Sequence, residues 1–179
     1  MNHTHRQRGF TIVELLIVAV LIAVLAAITT VAYNGIQGRS QDSKRIGDMK
    51  NIRTVLERYR IENVTYPAVA RTGSNVSGDY ERSYKEDAGE FLAELKAYGM
   101  SGGVPVDPTD SAGTHYMYYL YSSANATAYG CPVAKPSYIL GLAYTRASKT
   151  APHPDSPGFS CSGRNWQSEM SWVAGGYVE

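Results

Sequence analysis

The stretch from Phe10 to Ile28 carries a single charge, Glu14, in an otherwise apolar run that continues to Val31. As a helix, residues 10–31 would reach about 33 Å, enough to cross a bilayer. An ionised carboxylate inside such a span costs roughly 2.5–3.5 kcal/mol, so a chain that keeps one there gives it a partner and a task. The residues in front, Met-Asn-His-Thr-His-Arg-Gln-Arg-Gly, are polar and include Arg6 and Arg8. Positive residues ahead of a span stay on the cytoplasmic side, so the rest of the chain is expected outside. A secretory signal has a shorter apolar core and a small-residue cut site, whereas this run is longer and flows into a helical pattern. A plain signal anchor accounts for length and orientation but leaves Glu14 unexplained.

The remainder differs in character. A chain of 179 residues has room for one modest domain plus this extension. Lys and Arg total 17 against 16 Asp and Glu, which gives no overall pull toward nucleic acid and no acidic tail. Tyrosine is frequent, and Tyr116, Tyr118, Tyr119 and Tyr121 crowd together. That pattern suits packing on a sheet, with an exposed aromatic contact surface as the alternative. Cys131 and Cys161 are the two cysteines. If this half is exported they are expected to pair, closing a loop of about 30 residues and contributing about 3–4 kcal/mol.

Arg8-Gly9-Phe10-Thr11-Ile12-Val13-Glu14-Leu15 resembles the class III signal of type IV prepilins and type II secretion pseudopilins. The likeness extends closely through Ala26-Ala27-Ile28 and Ala32-Tyr33, and loosely to about residue 62. It implies that a membrane aspartyl peptidase cuts between Gly9 and Phe10 and that the new N-terminal Phe10 is N-methylated. It also implies that the freed ammonium of Phe10 pairs with Glu14 of a neighbouring subunit. Such a pair would offset the desolvation penalty of both groups and set axial register, since only one stagger joins them. The chain departs from the family twice: Thr29-Thr30-Val31 stands where many pilins have a mid-helix proline, and Ala23 where a glycine is common. Asn34-Gly35 and Gly38 offer a weak point instead, a glycine in a helix interior costing about 1 kcal/mol relative to alanine.

From Gln41 the pattern turns amphipathic. Ile46, Met49, Ile52, Leu56 and Tyr59 recur at three- and four-residue steps, a stripe on one helix face. Lys44, Arg45, Asp48, Lys50, Arg53, Glu57 and Arg58 fall on the other faces and are expected to be solvated. The helix is predicted to end before Tyr66-Pro67, because a residue preceding proline avoids the α region. Residues 68–84 read as a loop. Glu86 to Tyr98 reads as a short helix with Phe91, Leu92, Leu95 and Tyr98 on one face and Gly99 as its stop. Ser101 to Pro108 is turn material. His115 to Ser122, Tyr138 to Arg146 and a short segment around Ser171-Trp172-Val173 read as antiparallel strands.

The expected fold class is α+β and pilin-like: a long N-terminal α-helix, half transmembrane and half amphipathic, packed on a small antiparallel β-sheet head. Its parts are a leader at 1–9, a transmembrane and filament-core helix at 10–33, the amphipathic continuation at 34–62, and a head at 63–179 with a C-terminal disulfide loop.

No catalytic chemistry stands out. The four histidines form no metal motif, and no nucleophile elbow, phosphate loop or CxxC pair is present. Asp107, Asp110 and His115 can be drawn as a site, but a turn followed by a strand explains them more cheaply. No enzymatic activity and no cofactor are expected. Val104-Pro-Val-Asp-Pro108 resembles the loop-to-strand passage of major pseudopilins, yet residues 111–154 contain no Asp or Glu for the calcium site of that subgroup, which counts against it. The loop between the cysteines holds Lys135, Arg146, Lys149 and His153 against one acid, Asp155. It reads as a solvated loop, or as a basic patch touching DNA, another cell or an anionic surface. Asn63, Asn75 and Asn125 begin glycosylation sequons.

The sequence is read as a structural subunit of a type IV pilus-like surface filament serving adhesion, motility or DNA uptake. The partners this implies are identical or related pilin subunits, a prepilin peptidase, an inner-membrane assembly platform and, before assembly, the lipid bilayer. The expected location is the cytoplasmic membrane, single-pass with the head outside, and then an extracellular pilus or a periplasm-spanning pseudopilus. The alternatives are a type II secretion pseudopilin and a membrane-anchored binding domain that never polymerises.

Overall fold

The apolar stripe beyond residue 40 needs a cover, and a four-stranded sheet supplies it. The computed structural model describes residues 10–69, 79–84, 90–132, 135–143 and 152–178. Residues 1–9, with the expected cleavage position Gly9, and Asn75, Arg146 and Lys149 lie outside these residues. Helix α1 runs Ile12–Asn63 and stays helical through Asn34-Gly35 and Gly38. The chain divides into two compact units, Met1–Gly38 and Arg39–Glu179.

In the first unit every residue from Phe10 to Thr30 is exposed. Its polar interior positions are satisfied within the helix: the Thr29 and Thr30 hydroxyls donate to the carbonyls of Leu25, Ala26 and Ala27 at 2.9–3.0 Å. Back-bonding of this kind lets threonine sit in an apolar segment without an orphaned donor.

In the second unit, strands β1 (Asp79–Arg82), β2 (Tyr116–Tyr121), β3 (Ser137–Leu142) and β6 (Trp172–Tyr177) form an antiparallel sheet in the order β1-β2-β3-β6. Alternation along the strands separates two cores. Tyr116, Tyr118, Tyr138, Leu140, Leu142, Trp172 and Ala174 face the α1 stripe of Ile46, Met49, Ile52, Val55 and Leu56. On the opposite face Tyr121, Ile139 and Val173 meet Trp166 and Met170, with Phe159 and the two cysteines packed alongside. β3 is therefore buried from end to end. Gly141 lets the second layer approach, since a Cβ there would lie 2.0 Å from Met170 Sδ. A short helix α2 (Ser123–Ala128), capped by Ser122, and a two-residue hairpin of β4 (Ser160–Cys161) and β5 (Arg164–Asn165) complete the outer layer. The Cys131–Cys161 disulfide ties the end of α2 to that hairpin.

Three local expectations need correction. Residues 68–84 are not all loop, because Asp79–Arg82 is the edge strand β1, with Glu81 turned inward to accept from Leu92 N at 2.8 Å. The segment read as a helix from Glu86 is only a 3₁₀ turn at Ala93–Tyr98 in its described part. Leu92, at φ 49°, breaks the α path just before it, and Gly99, at φ 121°, closes it. Finally, not all charges of α1 face solvent: Arg45 and Asp42 are buried. Arg45 lies between Asp42 and Asp107, and a charge out of water persists only when it is matched in this way.

Other acids of α1 hold the sheet by phenol hydrogen bonds. Tyr116 Oη donates to Asp48 Oδ2 at 2.8 Å, and Tyr138 Oη donates to Glu57 Oε1 at 3.0 Å. Tyr59, the last of the stripe, is only half-buried and donates to Glu94.

Candidate assembly site

The start of α1 explains how Glu14 lives on an apolar helix. Thr11 is the residue before the first helical position, and Glu14 is the third position inside. Thr11 N and Thr11 Oγ1 both donate to Glu14 Oε2 at 2.8 Å, and Glu14 N donates back to Thr11 Oγ1 at 3.2 Å. This reciprocal pair is a capping box, which satisfies two of the four backbone donors a helix start leaves open. A carboxylate there also meets the positive end of the helix dipole. The sequence reading missed Thr11, although Thr-x-x-Glu ahead of an apolar run is the signature of such a box. Both donors go to Oε2, so among the described residues Oε1 accepts no hydrogen bond.

Phe10 precedes this cap and is 82% exposed. Along the helix behind it, Val13, Leu16, Ile17, Val20, Leu21, Val24 and Ile28 are all more than half exposed. Helix α1 contains a stretch long and apolar enough to cross a membrane, none of it buried within the chain. Apolar area of this extent is covered by lipid or by other protein. The arrangement is a cap, a carboxylate with one oxygen unbonded among the described residues, and a long greasy stem, which suits lateral packing of helices.

The remaining candidates do not converge on a reaction centre. Asp107 faces Arg45, Asp110 accepts from Ser83, and His115 sets Nδ1 against Ser111 O at 3.1 Å, each engaged separately. Among the described residues no group of three His, Cys, Asp or Glu could hold a metal ion. Of the basic loop, Lys135 is exposed. His153 lies beside Asp155, which pairs with Lys50 at 2.7 Å. Two of the sequon asparagines have engaged amides: Asn63 donates to Tyr59 O and Tyr98 Oη, and Asn125 takes part in the cap of α2.

Residues 4–30 match the family model described as the prokaryotic N-terminal methylation motif. The chain is 30% identical over 101 residues to the type IV major pilin protein PilE1 of Neisseria gonorrhoeae, covering 53% of this chain and 56% of that pilin. It is 33% identical over 67 residues to the type II secretion system core protein G of Escherichia coli K12, covering 37% and 46%. With the fimbrial protein EcpC of Eikenella corrodens it shares 32% identity over 105 residues, covering 55% of this chain and 69% of that protein. The chain thus spans about half the length of the first two relatives. No solved structure matches it significantly.

Proposed function

This chain belongs to the type IV pilin family, and we propose that it is a structural subunit of a type IV pilus-like surface filament. Before assembly it sits in the cytoplasmic membrane through the apolar part of α1, with the head outside. A prepilin peptidase cuts between Gly9 and Phe10, Phe10 is N-methylated, and an inner-membrane platform draws the subunit into a helical stack of identical or related copies. The observation that carries this reading is the capped Glu14 placed just behind Phe10 on an apolar stretch of α1 that is exposed from residue 10 to residue 30. Cleavage creates an ammonium on Phe10, and the unbonded oxygen of Glu14 on a neighbour is the acceptor it meets. In a low-dielectric helix bundle neither charge is tolerable alone, so the pair fixes the stagger between subunits.

The similarity to secretion protein G favours one second reading, a subunit of a type II secretion pseudopilus. Mass spectrometry of the exported protein tests what both share. Loss of residues 1–9, with the added mass of a methyl group on Phe10, is expected. An intact N-terminus would instead indicate a membrane-anchored binding domain. Imaging of head-labelled filaments then separates a long surface pilus from a short periplasmic one.

A further inference from the structure

Two polar side chains bracket the apolar part of α1, and their spacing is that of a membrane. Between Glu14 and Tyr33 no residue is charged, and the polar ones, Thr29 and Thr30, spend their hydroxyls on the helix's own carbonyls. Helix α1 runs unbroken through both positions, so the rise from Glu14 to Tyr33 comes to about 28 Å. The hydrocarbon core of a bilayer is about 30 Å thick.

Tyr33 has the chemistry that marks such a boundary. It is 66% exposed, and among the described residues its hydroxyl makes no hydrogen bond. A phenol joins an apolar ring to a polar tip, which is why tyrosine concentrates at the headgroup level of membranes. Tyr33 is also the sole aromatic residue of α1 before Tyr59. Asn34-Gly35 follow it, and the first charge after Glu14 is Arg39. At the other end Phe10, 82% exposed, precedes the cap, so an aromatic ring flanks the span on each side.

We propose that Tyr33 is an interfacial anchor: its phenol seats among the lipid headgroups on the outer side and fixes the depth of the inserted helix. At that depth Glu14 lies at the cytoplasmic edge of the hydrocarbon rather than at its centre, and Phe10 lies in the cytoplasmic headgroup layer. The partner is a lipid surface, met before assembly, so the anchor rests on the membrane stage of the filament reading above. A carboxylate at the edge keeps contact with water, and insertion alone therefore makes no demand for a counter-ion. The demand arises when Glu14 is drawn in among packed helices, where only a neighbour's ammonium can meet it.

The test uses the full-length chain in membranes of its own cells, where Cys131 and Cys161 are joined to each other and silent toward maleimide. Val13→Cys and Ile17→Cys are made singly, and the membranes are inverted so that an impermeant maleimide meets the cytoplasmic side. With Tyr33 in place, Val13→Cys is expected to label and Ile17→Cys to be protected. Leucine prefers the hydrocarbon, so adding Tyr33→Leu draws the helix toward the cytoplasm and should raise labelling of Ile17→Cys several-fold. Tyr33→Trp, an aromatic ring with its own polar N–H, should restore protection. Protection of Val13→Cys beside Tyr33, no change on Tyr33→Leu, or a Tyr33→Trp variant no better than leucine would overturn the anchor and leave the filament reading standing. A chain missing from the membrane fraction would remove the membrane stage itself, and the anchor with it.

Discussion

Arg45 Nε donates to Asp107 Oδ2 at 2.7 Å and Arg45 Nη2 to Asp107 Oδ1 at 3.1 Å, joining residues 62 apart in the chain where almost no water reaches either side chain. Asp42 Oδ1 accepts from Arg45 Nη1 at 2.8 Å, and Asp107 Oδ1 also accepts from Thr109 N at 2.7 Å. One guanidinium therefore fastens α1 to the turn that leads into β2.

Removing one member of this group strands the others in a dry site. Asp107→Ala and Arg45→Ala are each expected to destabilise the head by about 3–5 kcal/mol, while replacing both partners by apolar residues of similar volume should cost much less. Urea unfolding of the detergent-solubilised chain, followed by the fluorescence of buried Trp166 and Trp172, reads this directly. Equal losses in the single and paired variants would show that packing, and not the charge pair, matters here.

The buried tyrosines predict an alkaline limit. Burial pushes the Tyr121 phenol up to about 12, and burial with the Glu94 carboxylate does the same for Tyr59. Tyr116, Tyr118 and Tyr138 move further in the same direction, chiefly through burial, with Asp48 adding for Tyr116 and Glu57 for Tyr138. A phenol whose pKa is raised on folding holds its proton more tightly in the folded state. Its contribution is whole below the unfolded value near 10 and is lost as the pH climbs through the folded values. Denaturation midpoints should thus be flat up to about pH 10 and fall steeply above it. Absorbance at the phenolate band should show a group of tyrosines ionising only as the head unfolds.

The disulfide staples the outer layer. Cys131 and Cys161 are 30 residues apart, so in the chain-entropy account their bond contributes about 3.5 kcal/mol. Cys131→Ser with Cys161→Ser should lower thermal stability accordingly. It should weaken the near-UV dichroism of the Tyr121, Tyr129, Phe159 and Trp166 cluster, whose rings lie 5.5–5.8 Å apart. The α1 stripe on the far side of the sheet should keep its packing.

What could be read in the residues follows the range of the interaction. The α1 stripe and strands β2 and β3 are visible because period and composition are local, and Ile46, Met49, Ile52 and Leu56 are buried as the spacing requires. Arg45 looked like another surface charge, since its partner Asp107 lies across the fold and no local pattern announces it. β1 was hidden because Asp-Tyr-Glu-Arg has no apolar alternation, and its inward residue is the charged Glu81. The second core escaped because it is assembled from Trp166, Met170 and Phe159, which lie outside any long periodic segment. Of the candidate site, Glu14 was legible as an anomaly, and Thr11 was in plain view but unread.

The cap and the charge of Glu14 make different demands, and one pair of substitutions separates them. Glutamine at the third helical position still closes a capping box, so Glu14→Gln keeps the helix start and loses only the charge. Glu14→Ala loses both and should fray the first turn, a cost of about 1 kcal/mol that a membrane-spanning helix can bear. If the task of Glu14 is to meet the Phe10 ammonium of a neighbour, both variants should insert in the membrane and both should fail to assemble. If its task is only the cap, Glu14→Gln should form filaments as the unmodified chain does while Glu14→Ala is impaired. Membrane fractionation together with electron microscopy of sheared filaments distinguishes the outcomes, and normal filaments from Glu14→Gln would refute the ion pair.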